Sequence, residues 1–215
     1  MNPNHHPSEP VLAAYAAGSL ADGPSLVVSA HLERCPRCRA ELDLYEAVGG
    51  ALIAEAEPVA MSQDALALAL ARIERPPEPP SPPPAPPRLG PDGLTLPRAL
   101  ARRGVGPRRF VGPGIWVAPI ASKRPEGWRT YLLRAPSGIR VPHHGHNGDE
   151  FTIILQGSFI DETGRYGPGD FAEVGIDAEH HPEAQGPQAC ICLISGEGGI
   201  KAGGLLKWAQ PFLGV

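Results

Sequence analysis

The sequence predicts an α + β chain of two domains, a small helical unit followed by an antiparallel β unit. Three observations carry that prediction. Apolar residues recur at helical spacing through the first 75 residues. Ten of the sixteen residues from Pro76 to Pro91 are proline, and no globular core can be built from such a stretch. Beyond it, short runs of strand-forming residues alternate with Gly, Pro and Asp turns. The expected boundaries are therefore a helical domain at 1–75, a proline-rich linker at 76–91 and a β domain at 92–215. Within the linker, PPEPPSPPPAPP at 76–87 should be extended polyproline II, roughly 37 Å long at about 3.1 Å per residue. It is expected to hold the two domains apart and leave their relative orientation loose.

The helices follow from caps and breakers. The first spans Ser8 to Ala17, with Ser8 as N-cap and Gly18 as its stop. The second spans about Pro24 to Arg34 and starts near Asp22 or Gly23. The third begins after Pro36 and runs through CRAELDLYEAVGGALIAEA, weakened in the middle by Gly49 and Gly50. The fourth, capped by Ser62, carries DALALALARIE, in which Leu66, Leu70 and Ile73 make one apolar stripe. After the linker, GIWVAPI, WRTYLLRA, EFTIILQG and ACICLIS read as strands of an antiparallel barrel or double-sheet sandwich.

The 215 residues are 42% hydrophobic and 20% charged, which suits packed domains, and 27 Pro with 26 Gly lack the Gly-X-Y period of collagen. The net charge of −4 is unevenly spread: residues 1–75 hold five Arg against ten Asp and Glu, and the remainder holds 14 basic against 13 acidic residues. An acidic first half argues against direct nucleic-acid binding, which needs a basic face, and for a basic partner. No apolar run reaches the roughly 20 residues of a membrane span. MNPNHHPSEP lacks the layout of a signal peptide. The expected location is the cytoplasm, where the four cysteines read as metal ligands or buried thiols rather than disulfides.

The strongest motif of the helical unit is His31-Leu-Glu-Arg-Cys35-Pro-Arg-Cys38. Residues four apart share a helix face, so His31 and Cys35 can point at one ion. Cys35 and Cys38 form a C-x-x-C knuckle whose turn is set by Pro36. Two thiolates and an imidazole make a soft, zinc-preferring set that wants a fourth ligand, and His5 and His6 stand just upstream. A redox C-x-x-C is the competing reading, but its usual βαβ context is absent. A structural ion also suits a helical unit too small to bury a large core.

These residues, His6…His31-x3-Cys35-x2-Cys38 across short helices, resemble the zinc-binding anti-sigma domain, and HHPSEPVLAAYAAGSL with AVGGAL resembles its ChrR branch. The resemblance implies zinc held by His6, His31, Cys35 and Cys38. It also implies an extracytoplasmic-function (ECF) sigma factor as protein partner, with no membrane and no direct nucleic-acid contact.

The β unit carries a second constellation. Residues 138–157 place a Gly, then after five intervening residues His144-x-His146, then Glu150 and finally Gly157, and this spacing matches the first cupin motif. Strand residues two apart share a face, so His144 and His146 project together, and Glu150 returns to the same cavity on the next strand. Such a set suits Zn, Fe, Mn or Ni. Gly164-Arg-Tyr166-Gly-Pro168-Gly169-Asp170 resembles the turn of the second cupin motif, and Glu179-His180-His181-Pro182 its end. Resemblance to the ChrR-type cupin, with its E-H-x-P ending, selects His180 as the last ligand and leaves His143 and His181 facing outward. The resemblance also makes the β unit a cupin β-barrel. A surface histidine cluster without metal is the competing reading. Cys190 and Cys192 share a strand face and are expected to be a buried pair, while Trp116, Trp128 and Trp208 are expected in core or interface.

Taken together, the resemblance implies an anti-sigma factor and not an enzyme. In that expectation apolar faces with Leu12, Tyr15, Leu26, Val27 and the fourth-helix leucines enter the sigma factor. The cupin half senses oxidative stress, such as singlet oxygen or organic peroxide. The rival from another class is a metal-dependent cupin enzyme, a dioxygenase or isomerase, which would need an open coordination position and a polar pocket.

Overall fold

Proline and the small residues Gly18 and Asp22 punctuate the N-terminal third into helices: α1 (Glu9–Ala16), α2 (Asp22–Leu32), α3 (Pro36–Glu55) and α4 (Ala65–Ile73). The structure is a computed structural model that describes residues 2–74, 88–89, 94–101, 103–122, 127–141, 144–198 and 200–202. The polyproline stretch at 76–87, His143 and Trp208 lie outside the described residues. Gly18 ends the first helical segment in the left-handed region, φ 68°. Gly49 and Gly50 do not interrupt α3, which is continuous over 20 residues. Of two expected N-caps, Ser8 is in place without a side-chain cap bond and Ser62 is not the cap. Ser8 flanks α1, but its N–H and hydroxyl both donate to the Glu173 carboxylate instead, at 3.2 and 3.1 Å. Asp64, not Ser62, flanks α4, and the Ser62 carbonyl accepts from Ala65 N–H.

The β unit holds fourteen strands among the described residues: β1 (Arg88–Leu89), β2 (Leu94–Thr95), β3 (Arg109–Gly112), β4 (Ile115–Pro119), β5 (Trp128–Ala135), β6 (His144–His146), β7 (Glu150–Gln156), β8 (Ser158–Asp161), β9 (Gly164–Tyr166), β10 (Phe171–Val174), β11 (Glu179–His180), β12 (Glu183–Gln185), β13 (Cys190–Glu197) and β14 (Ile200–Ala202). A six-stranded antiparallel sheet in the order β10-β7-β13-β5-β4-β3 is the framework. Two three-stranded sheets, β11-β6-β14 and β12-β8-β9, accompany it, with a β1-β2 ribbon. The expected closed barrel is therefore corrected: β10 and β3 are open edges, and no pairing among the described residues joins them.

Period two explains how this sheet works. Along β7, Phe151, Ile153 and Leu155 join one buried cluster, whereas Ile154 joins another. Along β13, Leu193 faces the first cluster and Cys190, Cys192 and Ile194 the second. Both faces are thus covered, which is why IIL at 153–155 and ACICLI at 189–194 are apolar without alternation. The cover over the first face is the helical unit itself. Val11, Leu12, Leu26, Val27 and Val28 share one core with Phe151, Ile153, Phe171 and Leu193. The expectation of loosely oriented domains is overturned by that continuous core.

α2 makes the closest approach. A side chain on Gly23 would put its first carbon 2.3 Å from Ser195 Oγ and 2.5 Å from Thr130 Oγ1, so only glycine lets the helix settle on β5 and β13. At the same end, Asp22 takes both guanidinium nitrogens of Arg103 at 2.6 and 2.8 Å and the Ser122 hydroxyl at 2.9 Å. At the other end, Glu33 accepts the backbone N–H groups of Arg98 and Ala99, at 3.0 and 2.7 Å. Among the described residues no helix is long and apolar enough to cross a membrane. Gly23→Ala should force the buried Thr130 and Ser195 hydroxyls apart and cost about 1–3 kcal/mol. Thermal unfolding should show a midpoint several degrees lower; an unchanged midpoint would refute the tight docking of α2.

Two candidate metal centres

The first centre is assembled from three pieces of chain. His31 occupies the last turn of α2, Cys35 immediately precedes α3 and Cys38 lies in the first turn of α3, while His6 arrives from the segment before α1. Pro36 starts α3 and fixes the knuckle, and Cys38 N–H points at Cys35 Sγ at 3.4 Å. One donor atom from each of the four residues lies within 4.8 Å of the other three. His6 Nδ1 is 3.4 Å from Cys35 Sγ and 3.3 Å from Cys38 Sγ, and His31 Nε2 is 3.3 Å from Cys38 Sγ. A tetrahedral ion with the usual zinc–sulfur and zinc–nitrogen bonds would set these edges at about 3.6 Å. The donor set and its size therefore fit zinc.

His5 is excluded from this group. Its ring lies on Tyr166, with centroids 4.2 Å apart, and its Nδ1 is 3.5 Å from Asp170. His6 alone of the two upstream histidines reaches the cysteines. Burial works against charge here. It lowers the pKa of His31 to about 4 and raises Cys38 to about 12, while also lowering His6. A bound divalent ion would supply the positive charge that keeps the two sulfurs as thiolates.

The second centre lies on the sheet β11-β6-β14. His144 and His146 are two apart on β6 and share a face, and His180 on β11 stands directly opposite His144 in the register. His180 Nε2 is 3.1 Å from His146 Nε2 and 3.2 Å from His144 Nε2. Those separations lie between the roughly 2.9 Å and 3.3 Å expected for neighbouring nitrogens in octahedral and tetrahedral coordination. All three rings are buried.

Glu150 is placed differently from the other three. Its carboxylate lies 3.6 Å from Nδ1 of His146, on the side of the ring away from the three convergent nitrogens. Burial raises its pKa to about 7, against smaller opposing effects of His180 and a 3.5 Å contact from Thr152. A further acid, Asp161 at the end of β8, faces Nδ1 of His180 at 3.6 Å. Burial alone would raise it, yet His180 and the Thr163 hydroxyl and N–H outweigh that and hold it low. Sequence reasoning missed Asp161, because it comes from a hairpin outside the motif. His181 turns outward onto Glu162.

Beside the triad is a cavity of about 60 Å³, lined mainly by apolar groups such as Leu133, Ile139 and Phe159, with Glu150 and His180 at its wall. Cys190 and Cys192 border it as a buried pair, Sγ to Sγ 3.5 Å. Contact with Cys190, reinforced by burial, pushes the Cys192 thiol well above its ordinary pKa. Trp116 is core, and Trp128 packs against it, stacked on Phe151 at 5.6 Å.

With both centres in view, comparison with known proteins assigns the chain. A family model described as the ChrR cupin-like domain matches residues 108–197, and a zinc-finger model matches residues 9–39. The anti-sigma-E factor ChrR of Cereibacter sphaeroides is 38% identical, with 100% of both chains covered. The chain belongs to the ChrR family of anti-sigma factors. A solved chain of the crystal structure of Rhodobacter sphaeroides SigE in complex with the anti-sigma ChrR superposes with a TM-score of 0.74. It too is 38% identical, over 90% of this chain and 99% of its own. The cupin-like region of this ChrR-family chain is the sheet system that carries the histidine triad, and its zinc-finger match contains His31, Cys35 and Cys38.

Metal analysis of the purified chain should separate the two upstream histidines. Cys38→Ala should lose one equivalent of zinc, whereas His5→Ala should keep it. Loss of that equivalent on His5→Ala would contradict the arrangement of His6.

Proposed function

We propose that the protein is an anti-sigma factor that sequesters an ECF sigma factor in the cytoplasm, without catalysing a reaction. The observation that carries this reading is an exposed apolar surface on the second half of α3 and on α4. Val48, Leu52, Leu66, Leu70 and Ile73 are all open to solvent, Leu66 at 70% and Ile73 at 78%. α4 has no buried residue, and Cys38 is the one buried residue of α3. Apolar patches of this kind on helices mark protein interfaces. Leu12, Leu26 and Val27, expected on that interface from sequence, are instead buried against the sheet. The solved relative named above was crystallised with SigE, which supports a sigma factor as occupant of the exposed surface. Ten acidic against five basic residues in the first 75 suit a partner whose working surface binds DNA and core polymerase.

In this reading zinc in the four-residue centre shapes the helical unit, held by His6, His31, Cys35 and Cys38. A divalent metal, Zn or Fe, Mn or Ni, is held by His144, His146 and His180, with Glu150 as a neighbouring carboxylate beside Nδ1 of His146 in place of the fourth ligand expected from sequence. The cupin-like region serves as sensor of singlet oxygen or organic peroxide. The small apolar cavity beside the triad supports sensing over turnover: about 60 Å³ is far below the roughly 300–1,000 Å³ of ordinary substrate pockets.

The double substitution Leu66→Asp and Leu70→Asp lies on an exposed helix face and should leave the fold intact. It should weaken binding of the cognate sigma factor at least tenfold in a titration of purified proteins. Unchanged affinity would move the interface elsewhere. His144→Ala with His146→Ala should remove about half of the bound metal, preserve repression of a sigma-dependent reporter and abolish its induction by singlet oxygen or peroxide. Full induction in a variant shown to lack that metal would reject the sensing role.

A further inference from the structure

The four-residue centre is not built by the helical unit alone. The turn between β9 and β10, Gly167 to Asp170, lies directly beneath it. Asp170 is 4% exposed, and its carboxylate is fully engaged. Oδ1 accepts the backbone N–H groups of Asn4 and His5, at 2.5 and 3.0 Å, and Oδ2 accepts Gly167 N–H at 2.7 Å. The next residue, Phe171, donates its N–H to the His5 carbonyl at 3.1 Å. Three hydrogen bonds therefore pin the two residues that precede His6. Burial would raise the Asp170 carboxyl, yet the N–H groups of Gly167, His5 and Asn4 outweigh it and hold the carboxyl below its usual range.

The same turn acts on a second donor. His31 Nδ1 lies 2.8 Å from the Gly169 carbonyl, a contact in which the ring nitrogen must carry the proton and donate it. That tautomer leaves the Nε2 lone pair free, and Nε2 is the atom aimed at Cys38. Gly169 has φ 96°, and a side chain there would press Pro3 at 3.1 Å, so the turn and the N-terminal segment touch closely. His6 otherwise belongs to a segment outside regular structure, whose ordering must be provided by something.

We propose that Asp170 is a positioning residue for the four-residue centre: by clamping the Asn4–His5 backbone it delivers His6 Nδ1 to the other three donors. Zinc affinity in the helical unit thus depends on a carboxylate in the cupin-like region. The proposal rests on the reading of the cluster as a zinc site, and the experiment separates the two.

Zinc dissociation constants are measured by chelator competition on the full chain. The background is His144→Ala with His146→Ala, so that a single site is read. In that background Asp170→Ala should weaken zinc binding about 10- to 100-fold, the usual effect of losing an outer-shell partner. Asp170→Asn, which keeps the size of the side chain and one oxygen acceptor, should fall between, and it serves in place of the alanine variant if that one does not fold. A cycle with His6→Ala tells positioning from general destabilisation. Once His6 is gone, removing Asp170 should cost less than about threefold more. Cobalt-loaded protein gives an independent readout, since Asp170→Ala should shift the visible absorption toward that of His6→Ala. Equal affinity of Asp170→Ala and parent, or an undiminished loss in the His6→Ala background, would overturn the proposal. A parent that binds no zinc would overturn the zinc reading itself.

Discussion

The burial of α2 on the six-stranded sheet is the interaction on which the rest of the architecture depends. Val27 and Val28 are fully buried, and Leu26 nearly so, in a core shared with Phe151, Ile153 and Leu193. Complete burial of side chains of this size contributes about 1.5–3 kcal/mol each. Gly23 allows the close approach, and Asp22 and Glu33 tie the two ends of the helix to distant backbone and side chains. Once α2 is seated, its last turn is over the β9–β10 turn, and His31 meets the Gly169 carbonyl. α1 and the start of α3 then pack around α2. The second half of α3 and all of α4 are left without such support, which is why their apolar residues face solvent.

The two centres share an electrostatic logic and differ in closure. In each, burial opposes charge: His31 is held neutral, Cys38 is held as thiol and the Glu150 pKa is lifted to about 7. Desolvated donors of this kind have little to gain from ionising without a cation and much to gain with one. The first centre converges four donors from three chain segments and so closes on itself. The second converges three imidazoles, with carboxylates behind two of the rings and a cavity alongside. Outer carboxylates orient imidazoles and raise their basicity, and Glu150 and Asp161 each stand 3.6 Å from Nδ1 of a triad histidine, His146 and His180.

A sheet buried on both faces also joins the helical core to the cavity. β7 sends Phe151 and Ile153 toward α2 and Glu150 and Thr152 toward the cavity, alternately along one strand. β13 does the same with Leu193 on one side and Cys190 and Cys192 on the other. Both strands therefore line the helical core on one side and the cavity on the other.

What the sequence determined by itself is local. The Pro36 knuckle and the two-residue spacing of His144 and His146 are local, and the structure brings both pairs together, whereas His31 and Cys35 meet across the turn from α2 to α3 rather than on one helix face. The continuous apolar run ACICLI also signals two covered faces. Tertiary structure decided what depends on contacts far apart in the chain. It chose His6 over His5, turned Glu150 to the back of His146, and brought Asp161 to His180. It also buried Leu12 and Val27 and set Asp170 against Asn4, 166 residues away. Periodicity specifies which side of an element a residue occupies. Only the packing of one element on another specifies what that side meets.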